Sequence, residues 1–129
     1  LGIIDEDIQM KNEVLDISFD FAVKIVLFCK KLNKSSKDNF VISNQLLKSG
    51  TSIGANIEEA NAAQSKKDFL SKMYIAFKEA RETNYWLRII VNGHLDHSKE
   101  LVELIEMSNS LIRILSSITK TARENLEKR

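Results

Sequence analysis

Catalysis and metal binding need acids, bases or thiols at defined spacings, and this sequence offers few of them. The acidic pairs Glu79/Glu82 and Glu103/Glu106 have the three-residue spacing that places two side chains on one helix face. A di-iron site in a helical bundle needs Glu-x-x-His pairs instead, and no glutamate of this chain is followed by histidine at that spacing. The sequence therefore predicts no metal centre and no cofactor.

The two histidines and the single cysteine are poorly placed for catalysis. His94 and His97 follow Gly93, in a stretch that is typical of a turn. Cys29 ends the apolar stretch 26–29 with no histidine nearby in sequence, so its thiol lacks the base that activates a nucleophile. We therefore predict a buried, structural Cys29, no catalytic residues and no enzymatic activity.

Gly50 and Gly54 are spaced four residues apart but do not form a phosphate-binding loop. No strand pattern precedes them and no Gly-Lys-Ser or Gly-Lys-Thr motif follows. In a helix both would lie on one face, where a missing side chain lets a neighbouring helix approach closely. We expect that role for both glycines.

The elements that carry these residues are predicted to be helices. The chain of 129 residues contains no proline and only four glycines, too few turn-forming residues for a β-rich protein. Its 43% hydrophobic and 29% charged residues are typical of a globular protein, and the length suits a single domain over residues 1–129. No signal-peptide pattern, no membrane-spanning apolar run and no cysteine pair occur, so we expect a soluble cytoplasmic protein.

Apolar residues recur every three or four positions, which indicates four helices. We predict them over residues 5–34, 44–63, 66–92 and 98–127. Ser43 and Ser65 are expected to cap the second and third helices, with Asp68 completing the Ser65 cap. On the fourth helix, the apolar face is predicted to contain Leu101, Ile105, Ile112, Leu115 and Ile118. Long helices joined by short loops pack as antiparallel neighbours, so the predicted fold is all-α, an antiparallel up-down-up-down four-helix bundle.

The second and third helices each carry a polar face beside the apolar one. With about 100° per residue, the following side chains cluster on these two faces. We call them the polar stripe: Ser52, Asn56 and Glu59 of the second helix, and Glu79, Glu82 and Trp86 of the third. A large indole among hydrogen-bonding groups is typical of an interface, although a partly exposed Trp can also pack on its own bundle. The stripe is therefore either a contact between subunits or an internal network that joins the two helices.

Positive charge is concentrated in one part of a nearly neutral chain. The net charge is +1, which offers no general attraction to nucleic acid, but six lysines oppose one aspartate between residues 21 and 50. The candidate phosphate-binding residues are Lys30, Lys31, Lys34, Lys37, Lys48, Lys66 and Lys67. No aromatic residues are interleaved with them for base stacking, and lysines at helix ends are commonly only solvated.

One stretch of sequence resembles a known family. The run Gln45–Ala60 (QLLKSGTSIGANIEEA) is similar to the signature of the bacterial four-helix-bundle proteins encoded by intervening sequences in large-subunit ribosomal RNA genes. Residues 65–69 (SKKDF) and 78–87 (KEARETNYWL) continue the match. Many relatives carry Arg at the position of Lys48, which here is a point charge rather than a planar, bidentate donor.

The resemblance implies a four-helix bundle that assembles as a ring, in relatives a homopentamer. It also implies kinship with the accessory protein of diversity-generating retroelements, a pentamer that binds nucleic acid and a reverse transcriptase. In a ring, the polar stripe would form or support the heterologous contact between neighbouring subunits. We therefore expect a non-catalytic, oligomeric accessory protein that binds RNA. The alternative is a ring-shaped protein–protein interaction scaffold without nucleic-acid binding.

Overall fold

Four long helices form nearly all of the protein. A computed structural model describes the backbone of residues 2–128 and the side chains of residues 12–128. The helices are α1 (Gly2–Ser35), α2 (Phe40–Asn61), α3 (Lys66–Asn92) and α4 (Lys99–Glu127), and a single 3₁₀ turn at Lys37–Asn39 joins α1 to α2. Consecutive helices pack against each other and α4 also contacts α1, which closes the bundle. The predicted antiparallel four-helix bundle is therefore confirmed.

The starts of α3 and α4 follow the expected capping chemistry. Ser65 accepts a hydrogen bond from the backbone N–H of Asp68 at 3.0 Å, and Ser98 accepts one from the N–H of Leu101 at 3.3 Å. These hydroxyls satisfy amide donors that have no partner inside the first helical turn. The predicted Ser65 cap is therefore confirmed.

The predicted start of α2 is wrong. The helix begins at Phe40, because the 3₁₀ turn capped by Ser36 leads directly into it. Ser43 is buried inside α2, where its hydroxyl donates to Oδ1 of Asn33 on α1 at 2.7 Å. Its hydrogen-bond partner lies on a different helix, so the hydroxyl does not mark a helix end. The other end of α2 also differs, at Asn61 rather than residue 63.

All four helices contribute to one apolar core, but α4 faces it differently from the prediction. Leu104 and Leu111 are buried, whereas Ile105 and Ile112 are only half-buried at its margin. The buried leucines of α4 recur at steps of three, seven and four, the repeat of helices that cross at a small angle. The prediction followed the neighbouring isoleucines, which are equally apolar but lie to one side.

The expected close contact at the two glycines is confirmed between α1 and α2. A Cβ added at Gly50 would lie 3.0 Å from the side chain of Ile25. At Gly54 it would lie 3.3 Å from the backbone oxygen of Ser18. The two glycines therefore let α2 approach both a buried side chain and the backbone of α1. Across the described residues, the helices lack an apolar stretch of the length that crosses a membrane.

Candidate nucleic-acid interface

The candidate lysines are all exposed, but they do not form one surface. Lys30, Lys31, Lys34 and Lys37 lie together where α1 ends and the 3₁₀ turn begins, and Lys48 lies about two turns into α2. Lys66 and Lys67 begin α3 at the opposite end of the bundle. The 22 residues of α2 separate the two ends, a distance of about 33 Å at 1.5 Å per residue.

The described lysines of α1 and the following 3₁₀ turn fall into two groups, those with an ion-pair partner and those without one. Lys24 contacts Glu103 at 3.0 Å and Lys31 contacts Glu100 at 3.5 Å, so both lysines connect α1 to α4. The hydrogen bond with Glu103 raises the pKa of Lys24. A further set of cations, Lys30, Lys34 and Lys37, forms no ion pair with any side chain of residues 12–128. We call these three residues the basic end.

The polar stripe lies along the groove between α2 and α3, and most of its hydrogen bonds stay within one helix. Ser52 donates to the backbone oxygen of Lys48 at 2.6 Å, and Asn56 donates to that of Ser52 at 2.8 Å. On α3, the indole Nε1 of Trp86 donates to the carboxylate of Glu82 at 3.2 Å. These bonds orient side chains along the groove without joining the helices.

Other polar contacts do join α2 to α3. Glu59 accepts from Lys72 across the groove at 3.4 Å, through a pair that is largely exposed. Deeper in the bundle, the hydroxyl of Thr83 donates to that of Ser49 at 2.9 Å, and both residues are buried. Sequence reasoning missed the Ser49–Thr83 contact. The only available signal was a small hydroxyl residue at the edge of the core face on each helix.

A second buried polar contact, also missed, joins α3 to α4. The side-chain amide of Asn84 donates to Ser108 at 2.9 Å and to Asn109 at 3.0 Å. Its oxygen accepts from Nε of Arg88 at 2.9 Å, so every polar atom of the amide group is used. Throughout residues 12–128, no buried side-chain nitrogen or oxygen lacks a hydrogen-bond partner.

Glu79 is a half-buried member of the polar stripe without a direct partner. Its carboxylate makes no hydrogen bond or ion pair with a described residue. Burial and then the negative charge of Glu82 raise its pKa, while Lys78 and Lys48 act in the opposite direction. A partly desolvated carboxylate without a partner is uncompensated in a single subunit.

Cys29, His94 and His97 carry the potentially reactive groups, and these lie in the core or in an exposed turn. Cys29 is buried as predicted, its thiol donates to the backbone oxygen of Ser43 at 3.4 Å, and burial raises its pKa to about 11. The thiol is therefore protonated at neutral pH. Nδ1 of His94 lies 3.3 Å from Nε2 of His97 in an exposed turn. No group of three or more potential metal ligands is found among the described side chains.

An exposed apolar face on α1 is a further feature that sequence reasoning missed. Phe19 and Leu27 are 63% and 60% exposed, and Val23 and Val26 lie between them. Their spacing places all four on the side of α1 away from the core. The signal was present in the sequence, because apolar residues of α1 occupy two faces of the helix rather than one.

Comparisons with known proteins agree with this architecture. Residues 10–117 match the family model of the 23S rRNA-intervening sequence protein. A solved structure from Bacteroides thetaiotaomicron, described as a protein with unknown function from the S23 ribosomal protein family, is 43% identical to this chain with a TM-score of 0.80. The similarity covers 86% of this chain and 98% of that one. No curated protein matches the sequence.

The match to the family model extends from the first half of α1 to about two thirds of the way along α4. It therefore includes residues of all four helices. The chain belongs to the 23S rRNA-intervening sequence protein family.

Proposed function

We propose that this protein is a non-catalytic, self-associating accessory protein that binds RNA. The observation that carries the proposal is the basic end, where Lys30, Lys34 and Lys37 are exposed and have no ion-pair partner among the described residues. Cations that are not neutralised by the protein can replace the counterions of a phosphate backbone. The family's name refers to 23S rRNA, and structured RNA is the ligand class that we propose.

Assembly would strengthen this binding. Three lysines on one subunit give weak attraction, but a ring repeats the basic end once per subunit and raises the effective concentration of each further contact. A homopentamer, as the family resemblance implies, would present five copies. The family resemblance also implies kinship with the accessory protein of diversity-generating retroelements, in which a ring and nucleic-acid binding occur together.

Removing the basic end tests the RNA proposal. We expect the Lys30→Ala/Lys34→Ala/Lys37→Ala variant to bind a structured RNA about tenfold or more weakly than the unaltered protein at low salt, because about three phosphate contacts are lost. The logarithm of its association constant should also fall less steeply with the logarithm of salt concentration. Fluorescence anisotropy at several salt concentrations measures both quantities.

The Lys66→Ala/Lys67→Ala variant, altered at the opposite end of the bundle, is the comparison. Equal losses in both variants would mean that RNA is attracted by overall charge rather than by the basic end. If the unaltered protein shows no binding and no salt dependence, RNA binding is overturned.

The second candidate function is a ring-shaped protein–protein interaction scaffold that does not bind nucleic acid. It is favoured by two unlike surfaces: the polar stripe with its unpaired Glu79, and the exposed apolar face of α1 that carries Phe19 and Leu27. A heterologous contact places one surface of each subunit against a different surface of its neighbour, and this arrangement closes into a ring.

Trp86 tests whether the polar stripe is a subunit contact. We expect Trp86→Ala to shift the assembly toward monomer, because loss of a half-buried indole removes apolar contact area from the interface centre. Light scattering coupled to size exclusion gives the mass. Tyr74→Ala, an exposed aromatic on the α4 side of α3, is the control and should leave the mass unchanged. An unchanged mass with lowered stability in Trp86→Ala would instead favour packing within one subunit.

A further inference from the structure

The outer face of α3 that borders α4 carries cations with tyrosines among them. Its members are Tyr74, Lys78, Arg81, Tyr85 and Arg88 of α3, and Arg123 of α4, all exposed. We call this surface the arginine–tyrosine face. The five residues of α3 fall within about 80° around the helix and extend over about 21 Å along it. This face lies on the α4 side of α3, because Arg123 of α4 donates to the hydroxyl of Tyr74 at 3.1 Å.

The cations of this face have no ion-pair partner among the described residues, although the charge of Lys78 acts on Glu79. Among residues 12–128, none of its lysine and arginine side chains forms an ion pair. The acidic residues of α3 nearest to it, Glu79 and Glu82, belong to the polar stripe on the α2 side. On α4, Glu103 pairs with Lys24 of α1 and so lies on the far side of that helix. The arginine–tyrosine face therefore concentrates positive charge on a nearly neutral protein.

The aromatic rings hold the arginines in place while remaining accessible. The guanidinium carbon of Arg88 lies 5.9 Å from the ring centroid of Tyr85, and Nε of Arg88 donates to Asn84 at 2.9 Å. Arg81 lies 5.9 Å from the ring of Phe77 in the same manner. Tyr85 is nevertheless 48% exposed, although its ring contacts both Arg88 and Trp86.

This combination matches the requirements of a single-stranded nucleic acid. Such ligands are bound by cations that follow the phosphate backbone and by aromatic rings on which unpaired bases stack. A protein partner would equally use tyrosine and arginine, but a surface with several cations and no acidic member favours a polyanion. One exposed ring, Phe40, follows the basic end, whereas the arginine–tyrosine face carries two tyrosines among its cations.

We propose that the arginine–tyrosine face binds single-stranded RNA, with Arg81, Arg88 and Lys78 on phosphates and Tyr85 under a base. This inference rests on the proposed RNA-binding function and assigns a surface to it that is distinct from the basic end. The face is on the α4 side of α3, whereas the polar stripe is on the α2 side. The two surfaces adjoin at Tyr85, whose ring contacts that of Trp86 edge-to-face with the centroids 5.1 Å apart.

The test uses a fluorescently labelled, mixed-sequence single-stranded RNA of about 20 nucleotides, a length that covers typical single-strand sites. We expect Arg81→Gln/Arg88→Gln to weaken binding about tenfold or more and to reduce the salt slope by about 1.4, since each phosphate contact on a single strand contributes about 0.7. The matched control is Lys30→Gln/Lys34→Gln, which removes the same charge from the basic end and should weaken binding less.

Substitutions at Tyr85 distinguish the contribution of base stacking to RNA binding from that of phosphate contacts. We expect Tyr85→Leu to weaken binding about fivefold or more with an unchanged salt slope, and Tyr85→Phe to retain the affinity of the unaltered protein, because every aromatic ring offers a stacking face. The melting temperature verifies the fold. It should stay within a few degrees in the Tyr85 variants and fall further in the arginine variant, because Arg88 also donates to the buried amide of Asn84.

The outcomes distinguish this inference from the proposed function. If the unaltered protein binds RNA, and only the basic-end variant loses binding, the arginine–tyrosine face is overturned while RNA binding stands. If the unaltered protein binds no RNA, both are overturned. Loss of binding in Arg81→Gln/Arg88→Gln and in Tyr85→Leu, with affinity retained in Tyr85→Phe, supports the face.

Discussion

Replacing Phe21 with alanine should lower the free energy of unfolding by about 3–5 kcal/mol, the largest effect of a single substitution that we expect. Phe21 is fully buried in the core where α1 meets the other helices. Its truncation removes apolar area from burial and leaves a cavity that packed helices refill only in part. Urea denaturation, with the midpoint and slope fitted together, measures the change.

Phe19 is the matched control because it is the same residue type on the same helix. Its side chain is 63% exposed, so Phe19→Ala should change the free energy of unfolding of the monomer by less than about 1 kcal/mol. Similar losses for the two variants would contradict the described orientation of α1. A loss of assembly mass in Phe19→Ala alone would instead show that the apolar face of α1 contacts another subunit.

The second large effect is expected at Gly54, where α2 contacts the backbone of α1. A leucine there should lower the free energy of unfolding by about 3 kcal/mol, since its Cβ would already lie 3.3 Å from the backbone oxygen of Ser18. Backbone atoms in a packed helix cannot rotate away as side chains can. The remaining atoms of leucine therefore force the two helices apart.

Ala55→Leu provides the comparison, because Ala55 is the next residue of α2 and is exposed. Both variants introduce a leucine into the same helical turn, and helix propensity alone favours Gly54→Leu by about 1 kcal/mol, so a loss of stability at Gly54 reflects packing. We expect Ala55→Leu to change stability by less than about 0.5 kcal/mol. If Gly54→Leu were tolerated equally well in denaturant titrations, the close approach of α1 and α2 would be refuted.

The proposed self-association and RNA binding are assigned to different surfaces of the bundle. The polar stripe occupies the α2–α3 groove, the arginine–tyrosine face follows the other side of α3, and the basic end lies where α1 and α2 meet. Self-association through the stripe and binding of RNA are expected to be coupled, since assembly repeats the RNA-binding surfaces once per subunit. Trp86→Ala should therefore lower both the mass of the assembly and its RNA affinity, whereas the arginine variant should lower RNA affinity at an unchanged mass.

The sequence alone determined the helices and most of the core. Absence of proline, apolar residues at three- and four-residue steps and the Ser65–Asp68 cap are local features, and each acts within one or two helical turns. They predicted α3 correctly and the burial of Leu101 and Leu115. Gly50 and Gly54 were also interpretable, because two side-chain-free positions on one face have few other uses.

Only the tertiary structure decided which residues of different helices meet. The buried row of α4 contains Leu104 rather than the predicted Ile105, since packing against α1 and α3 selects among adjacent apolar residues. Helix packing also brings Ser49 into contact with Thr83, 34 positions away in the sequence. It places Lys66 at the end of the bundle opposite Lys34. The arginine–tyrosine face follows from the same cause. Helical periodicity specifies the faces of each helix, but the face turned toward a neighbour depends on how all four pack.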